Sequence, residues 1–143
     1  MSIRLATPLD IEPCVLVDAS NFHIYTDEKR RSHFREMIPK QAMLIFEEDE
    51  QILAYATYEP KWFECTFLKL VVVDAPARRR GLGSLLIQHI MGHCCPSGRL
   101  FSSTEDDNDP SKAMHEKLGF KVSGSLDNLP QPNREIFYFK RVK

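Results

Sequence analysis

Between Arg78 and Ser84 the chain reads Arg-Arg-Arg-Gly-Leu-Gly-Ser, three cations followed by two glycines one residue apart. Such a run can hold an anion. Successive backbone N–H groups in a turn converge on one point, a helix N-terminus adds partial positive charge, and guanidinium groups add charge-assisted contacts. Gly81 and Gly83 carry no side chain, so a diphosphate could approach the backbone closely. A tight turn with solvated arginines has the same composition, so the loop alone leaves both readings open. It is neither a Rossmann fingerprint, since Ser84-Leu85-Leu86 follows Gly83, nor a Walker A loop, since no Gly-Lys-Ser/Thr occurs.

The elements on either side must position this loop. Thr66 to Val73 is β-branched and almost continuously apolar, which predicts a central strand buried on both faces. Beyond Arg80 the period becomes helical: Leu82, Leu85, Leu86, Ile90 and Met91 share one side of a helix running to about His93. Upstream, Ile3 to Ala6 reads as a first strand. Thr7 as N-cap and Pro8 as first helical residue open a helix to about Asp18. A mixed-charge helix spans roughly Asp27 to Ile38 and stops at Pro39. Ala42–Glu47 and Gln51–Tyr58 form a hairpin around the acidic turn Glu48-Asp49-Glu50. Downstream come a strand at Arg99–Ser103, a helix at Ser111–Leu118 opened by Asn108-Asp109-Pro110 and closed by Gly119, and strands at Phe120–Ser123 and Glu135–Arg141. This order predicts an α/β (mixed α+β) architecture, with about seven strands in one mixed sheet and about four helices on its faces.

A chain of 143 residues fits one domain over residues 1–143. Hydrophobic residues at 43% and charged residues at 27% suit a globular chain with a core. With 19 basic and 20 acidic side chains, no global field favours nucleic acid or an anionic membrane, so any anion needs a local site. The N-terminus has no signal-like apolar stretch and no run is long enough to span a bilayer, so a cytoplasmic location is expected. Cys14, Cys65, Cys94 and Cys95 are then reduced, and adjacent Cys94-Cys95 beside His93 have the wrong spacing for a metal pair, so no metal is expected.

Two motifs in order carry a family resemblance. Val73, Arg78, Gly81 and Gly83 resemble the Arg/Gln-x-x-Gly-x-Gly/Ala signature of the GCN5-related N-acetyltransferase (GNAT) family. The segment from Asn108 through His115-Glu116-Lys117-Leu118-Gly119-Phe120 resembles that family's Asn…Tyr-Glu-Lys-Leu-Gly-Phe. The resemblance spans almost the whole chain. It implies a twisted mixed sheet whose central strands splay into a V-shaped cleft. It also implies an acetyl-CoA-dependent N-acetyltransferase that transfers to a primary amine by direct attack in a ternary complex. The acceptor would be a small molecule or a protein, and homodimers are common in the family. The other reading is a non-catalytic acyl-CoA-binding regulatory module.

Residue by residue, the resemblance implies that the backbone of Leu70, Val71, Val72 and Val73 pairs with the pantetheine arm like an added strand. The loop Arg78, Arg79, Arg80, Gly81, Leu82, Gly83 and Ser84 would hold the pyrophosphate. Asn108 would bond the pantetheine region, and the helix carrying Lys112 would flank the CoA. His115 stands where the family's tyrosine protonates the departing thiolate, a role histidine can fill near neutral pH, the alternative being a packing residue. Lys69 replaces a common glutamate. The acceptor amine must lose a proton before it attacks, and Glu64 and Glu59 are candidate bases by location, or solvated carboxylates. Glu135 either reads the substrate or is a strand-edge charge. Asn21-Phe22-His23-Ile24-Tyr25 and Asp127 to Asn133 would wall the acceptor site. Cys65 lacks an evident base partner and is not expected to relay the acetyl group.

Overall fold

A computed structural model describes residues 2–20 and 27–143. The expected acceptor wall at Asn21 to Tyr25 lies outside the described residues. Seven strands form one sheet: β1 (Ser2–Leu5), β2 (Met43–Glu48), β3 (Gln51–Trp62), β4 (Cys65–Val73), β5 (Arg99–Glu105), β6 (Lys121–Leu126) and β7 (Glu135–Arg141). The helices are α1 (Ile11–Ala19), α2 (Asp27–Met37), α3 (Leu82–His93) and α4 (Asp109–Lys117). The spatial order is β1-β2-β3-β4-β5-β7-β6, with β4 and β5 parallel and every other neighbouring pair antiparallel. The mixed sheet and its element order agree with the sequence reading.

The departures have physical causes. The first helix does not run unbroken from Pro8. A 3-10 turn at Pro8–Asp10 precedes α1, which begins at Ile11. Pro13 explains the break: in a helix begun at Pro8 its missing N–H would leave Leu9 without a partner, whereas in the first turn of α1 no such bond is needed. The Asp10 carboxylate accepts from the Thr7 N–H at 2.7 Å and pairs with Arg4 at 2.9 Å, which fixes the turn against β1. Strand β3 runs on past Tyr58 to Trp62, with a register shift around Pro60, which has no N–H to give the ladder.

Strand β4 is not buried on both faces. Thr66, Leu68 and Val72 are buried, but Lys69 is exposed and Leu70, Val71 and Val73 are half-buried. The reason is a β-bulge. Thr57 pairs with Leu70 and the next residue, Tyr58, pairs with Leu68, so Lys69 is the extra residue of β4. Just before it, β4 meets β5 only at Thr66↔Leu100 and Phe67↔Phe101. Beyond that point the two strands diverge, and the sheet opens.

Helices cover both faces. On one side the Asp18 carboxylate of α1 pairs with Arg30 of α2 at 2.9 Å and accepts the Tyr55 hydroxyl of β3 at 2.7 Å, all buried, with Phe34 edge-on to Tyr55 at 5.0 Å. On the other side α3 buries Leu82, Leu86, Ile87 and Ile90. Leu85, expected on that side, is 41% exposed, and Ile87 takes the inward place.

Candidate active site

The splay between β4 and β5 is lined by Leu68–Val72 from β4, Ser102 and Ser103 from β5, and Asn108, Ser111, Met114 and His115 around α4, enclosing about 200 Å³. Leu68 to Val72 have no β5 partner along this edge. Edge backbone of this kind can accept an extended amide chain as a further strand. The bulge at Lys69 turns the edge outward at the place where pairing stops.

At the C-terminal end of β4 lies the basic loop. A 3-10 turn at Ala75–Ala77 leads to Arg78, then Arg79 and Gly81 adopt positive φ, 69° and 77°, with Arg80 between them. Gly81 caps α3, its carbonyl accepting the Leu85 N–H at 3.1 Å. Such alternation turns neighbouring N–H groups toward one point at the helix N-terminus, a geometry suited to a phosphate. Arg78 and Arg79 are exposed, while the Arg80 guanidinium is tied to Glu48 at the end of β2 at 2.6 Å. Leu82 faces the core and Ser84 is half-buried. Gly83 also serves packing. A Cβ there would stand 3.3 Å from Val71 Cγ1 and 3.7 Å from Val73 Cγ2, so its bareness lets α3 press onto β4.

Asn108 lies at the rim as the N-cap of α4, its side-chain oxygen accepting the Ser111 N–H at 3.2 Å. Lys112 turns back to donate to the Asp106 carbonyl at 3.0 Å. His115 is 2% exposed, stacked on Tyr138 at 4.3 Å and edge-on to Phe120. Its Nδ1 lies 2.7 Å from the Ser111 carbonyl and so carries the proton. Nε2, 2.9 Å from Ser102 Oγ, then accepts from that hydroxyl. Burial lowers its pKa, which keeps the ring neutral. A neutral ring whose one proton rests on a carbonyl has none to give a departing thiolate. The packing and hydrogen-bonding account of His115 is the one this geometry favours.

The candidate bases separate clearly. Glu64 sits at the exposed tip of the β3–β4 hairpin, with Phe63 and Glu64 both at positive φ. It is six positions from Leu70, about 20 Å of extended strand, so it is not brought to the cleft. Its place at the start of β4 misled because the cleft opens at the other end. Glu59 pairs with Lys40 at 3.5 Å. Glu135 does reach the cleft region: it accepts the hydroxyl proton of cavity-lining Ser103 at 2.6 Å and bonds Gln131 at 3.0 Å, which ties part of the turn-rich Asp127–Asn133 segment to the β5 side. His33 of α2, which the sequence reading passed over, places Nε2 2.9 Å from Thr57 Oγ1 beside the bulge. Its only sequence signal was a lone ionisable ring one position before the inward Phe34.

The two histidines lie on opposite faces. Thr57 shares its face with Tyr55 and hence with α1 and α2. Thr66, whose hydroxyl donates to the Cys94 carbonyl at the end of α3, shares its face with Leu100 and Ser102, and hence with His115. His115 lines the cleft from one face, while His33 lies on the other, beside the bulge.

Comparison with known proteins agrees with this geometry. The sequence model of the Acetyltransferase (GNAT) family matches residues 13–120. An L-methionine sulfoximine/L-methionine sulfone acetyltransferase of Pseudomonas aeruginosa is 26% identical over 121 residues, 80% of this chain and 67% of that protein. A GNAT-family acetyltransferase from Bacillus cereus superposes with a TM-score of 0.87 at 31% identity, over 98% of this chain and 96% of that one. The fold also matches yncA of Salmonella typhimurium, solved with its cofactor acetyl-CoA, with a TM-score of 0.77 at 18% identity over 100% of this chain and 94% of that one. With the splayed sheet, the basic loop on α3 and the family match agreeing, this chain belongs to the GNAT family of acetyltransferases.

Proposed function

We propose that the chain transfers the acetyl group of acetyl-CoA to an amine by direct attack within a ternary complex. The observation that carries this reading is the opening of the sheet at the Lys69 bulge, next to a basic loop that caps α3. The free edge of Leu68 to Val72 would pair with the pantetheine amides, and the N–H groups from Arg79 to Ser84 would hold the pyrophosphate, with Arg78 adding charge. Arg80 contributes less, being tied to Glu48. Backbone N–H groups at the bulge would polarise the thioester carbonyl, and fixed proximity of amine and thioester would supply several kcal/mol of barrier reduction. Asn108 and Lys112 shape the rim through their own bonds to α4 and its entry loop.

The relative that acetylates methionine sulfoximine and methionine sulfone makes small α-amino acids the first acceptors to try. Incubation with acetyl-CoA and a panel of amino acids, polyamines and peptides should release free CoA thiol with at least one of them. Acetyl-CoA binding without thiol release on every amine would refute transfer and leave a binding module.

A further inference from the structure

The reaction needs a neutral amine, and the carboxylates named from the sequence are poorly placed to make one. The structure offers another group. His33 lies on the α1/α2 face, half-buried, with its ring fixed by Thr57 Oγ1 at 2.9 Å. Thr57 is itself fully buried and pairs across the ladder with Leu70, the residue next to the bulge and part of the cleft lining. The ring is therefore held on the β3 side of the bulge, one strand in from the cleft-lining edge, on the face opposite His115. Its Nδ1 has no partner among the described residues; in the tautomer whose Nε2–H donates to Thr57 Oγ1, Nδ1 carries a free lone pair.

We propose that His33 takes the proton from the acceptor's ammonium group, with Thr57 as the positioning residue that holds the ring beside the bulge. This rests on the amine-acetyltransfer reading above. The amine loses one proton to Nδ1, and its freed lone pair forms the new C–N bond at the thioester carbonyl. The C–S bond breaks, a second proton passes from nitrogen to the departing sulfur, and His33 later returns its proton to solvent.

The surroundings suit a base that is neutral at the start. Burial lowers the pKa of His33 most, and Lys69 of β4 and Arg30 of α2 push the same way, while Glu36 of α2 and Glu59 of β3 oppose them. Arg30 is engaged by Asp18, and Glu36 and Glu59 both lie 3.5 Å from Lys40, so neither carboxylate forms a close pair with the ring. A ring held neutral at pH 7 is available to accept, and the proton it gains is readily lost again.

His33→Gln can keep the bond to Thr57 while removing the proton acceptor, and His33→Asn serves the same test should the glutamine variant fail to fold. The measurement is single-turnover acetyl transfer from pH 5.5 to 9.5, with an amine that the parent acetylates, with and without added imidazole. The expected result is a rate about 100-fold lower at pH 7, within the range general-base help supplies. That rate should climb with pH as free amine accumulates and recover in part with imidazole, at unchanged acetyl-CoA affinity by calorimetry. A parental rate and pH profile in the variant would overturn the role of His33 while leaving acetyl transfer standing. So would a lost rate with parental pH dependence and no imidazole rescue, which marks a structural residue. A parent inactive on every amine would overturn both readings together.

Discussion

Gly83→Val is expected to weaken the seat of α3 on β4. The Cβ position stands 3.3 Å from Val71 Cγ1 and 3.7 Å from Val73 Cγ2, against about 3.5–4.0 Å for carbon atoms in comfortable contact. Alanine there needs a shift of a few tenths of an ångström, and it gains about 0.8–1.0 kcal/mol of helix propensity over glycine, so Gly83→Ala should stay within about 1 kcal/mol of the parent. Valine adds two more carbons with a stiff χ1 and little propensity gain, and overpacking of this kind costs about 1–3 kcal/mol. At roughly 2–4 °C per kcal/mol for a chain near this size, the Tm should fall by about 2–12 °C. The assay is a double-mutant cycle by thermal and urea denaturation, with Val71→Ala as the second change. Removing the Val71 methyls makes room, so Gly83→Val should cost at least about 0.5 kcal/mol less in that background. An equal cost in both backgrounds, or none in either, would refute the claim that glycine is needed here for helix–strand contact.

Tyr55→Phe removes a buried hydrogen bond to the Asp18 carboxylate and should cost about 1.5–3 kcal/mol in urea denaturation, the range for bonds to charged groups. Arg80→Ala breaks an exposed pair with Glu48, so stability should change by no more than about 1 kcal/mol. Arg78→Ala should weaken acetyl-CoA binding more at low than at high salt, read by calorimetry, because screening already weakens that contact in the parent. His33, His89 and His115 all have lowered pKa values, burial being the main cause of each. Below about pH 6.5 the unfolded chain takes up protons that the folded chain refuses, so stability is full above that pH and falls as pH drops below it. His115→Phe should flatten that fall, measured as urea midpoints between pH 7.5 and 5.

The elements were legible where periodicity was strong. The hairpin, the helix after the glycine loop and the cap at Asn108 all follow from local chemistry that tertiary contacts did not override. The bulge at Lys69 was not legible, because an almost unbroken apolar run hides which residue is extra and only the partner register reveals it. Missing the bulge made Glu64 attractive, since sequence proximity to β4 does not say which end of β4 borders the opening. His33 was hidden for a related reason: α2 is dominated by charges on its solvent side, and a single inward-leaning imidazole leaves no period. Gly83 was noticed for the right property, the lack of a side chain, but the neighbours it accommodates in the fold are Val71 and Val73 on the facing strand β4, twelve and ten positions earlier in the chain.

The seam between β4 and β5 has a further consequence. Among the described residues, the ladder between the leaf β1-β2-β3-β4 and the leaf β5-β7-β6 consists of just two pairs, Thr66↔Leu100 and Phe67↔Phe101, backed by ring contacts such as Trp62 on Phe101. An extended ligand bonded along the open edge would act as a removable stitch between them. Ligand at a hundred times its dissociation constant adds about 2.7 kcal/mol to stability by mass action. Amide hydrogen exchange at Leu68 to Val72 should slow when that stitch is in place and quicken each time it is withdrawn. The two leaves would thus be coupled most tightly while acetyl-CoA is bound, and the protein's rigidity would rise and fall with each catalytic cycle.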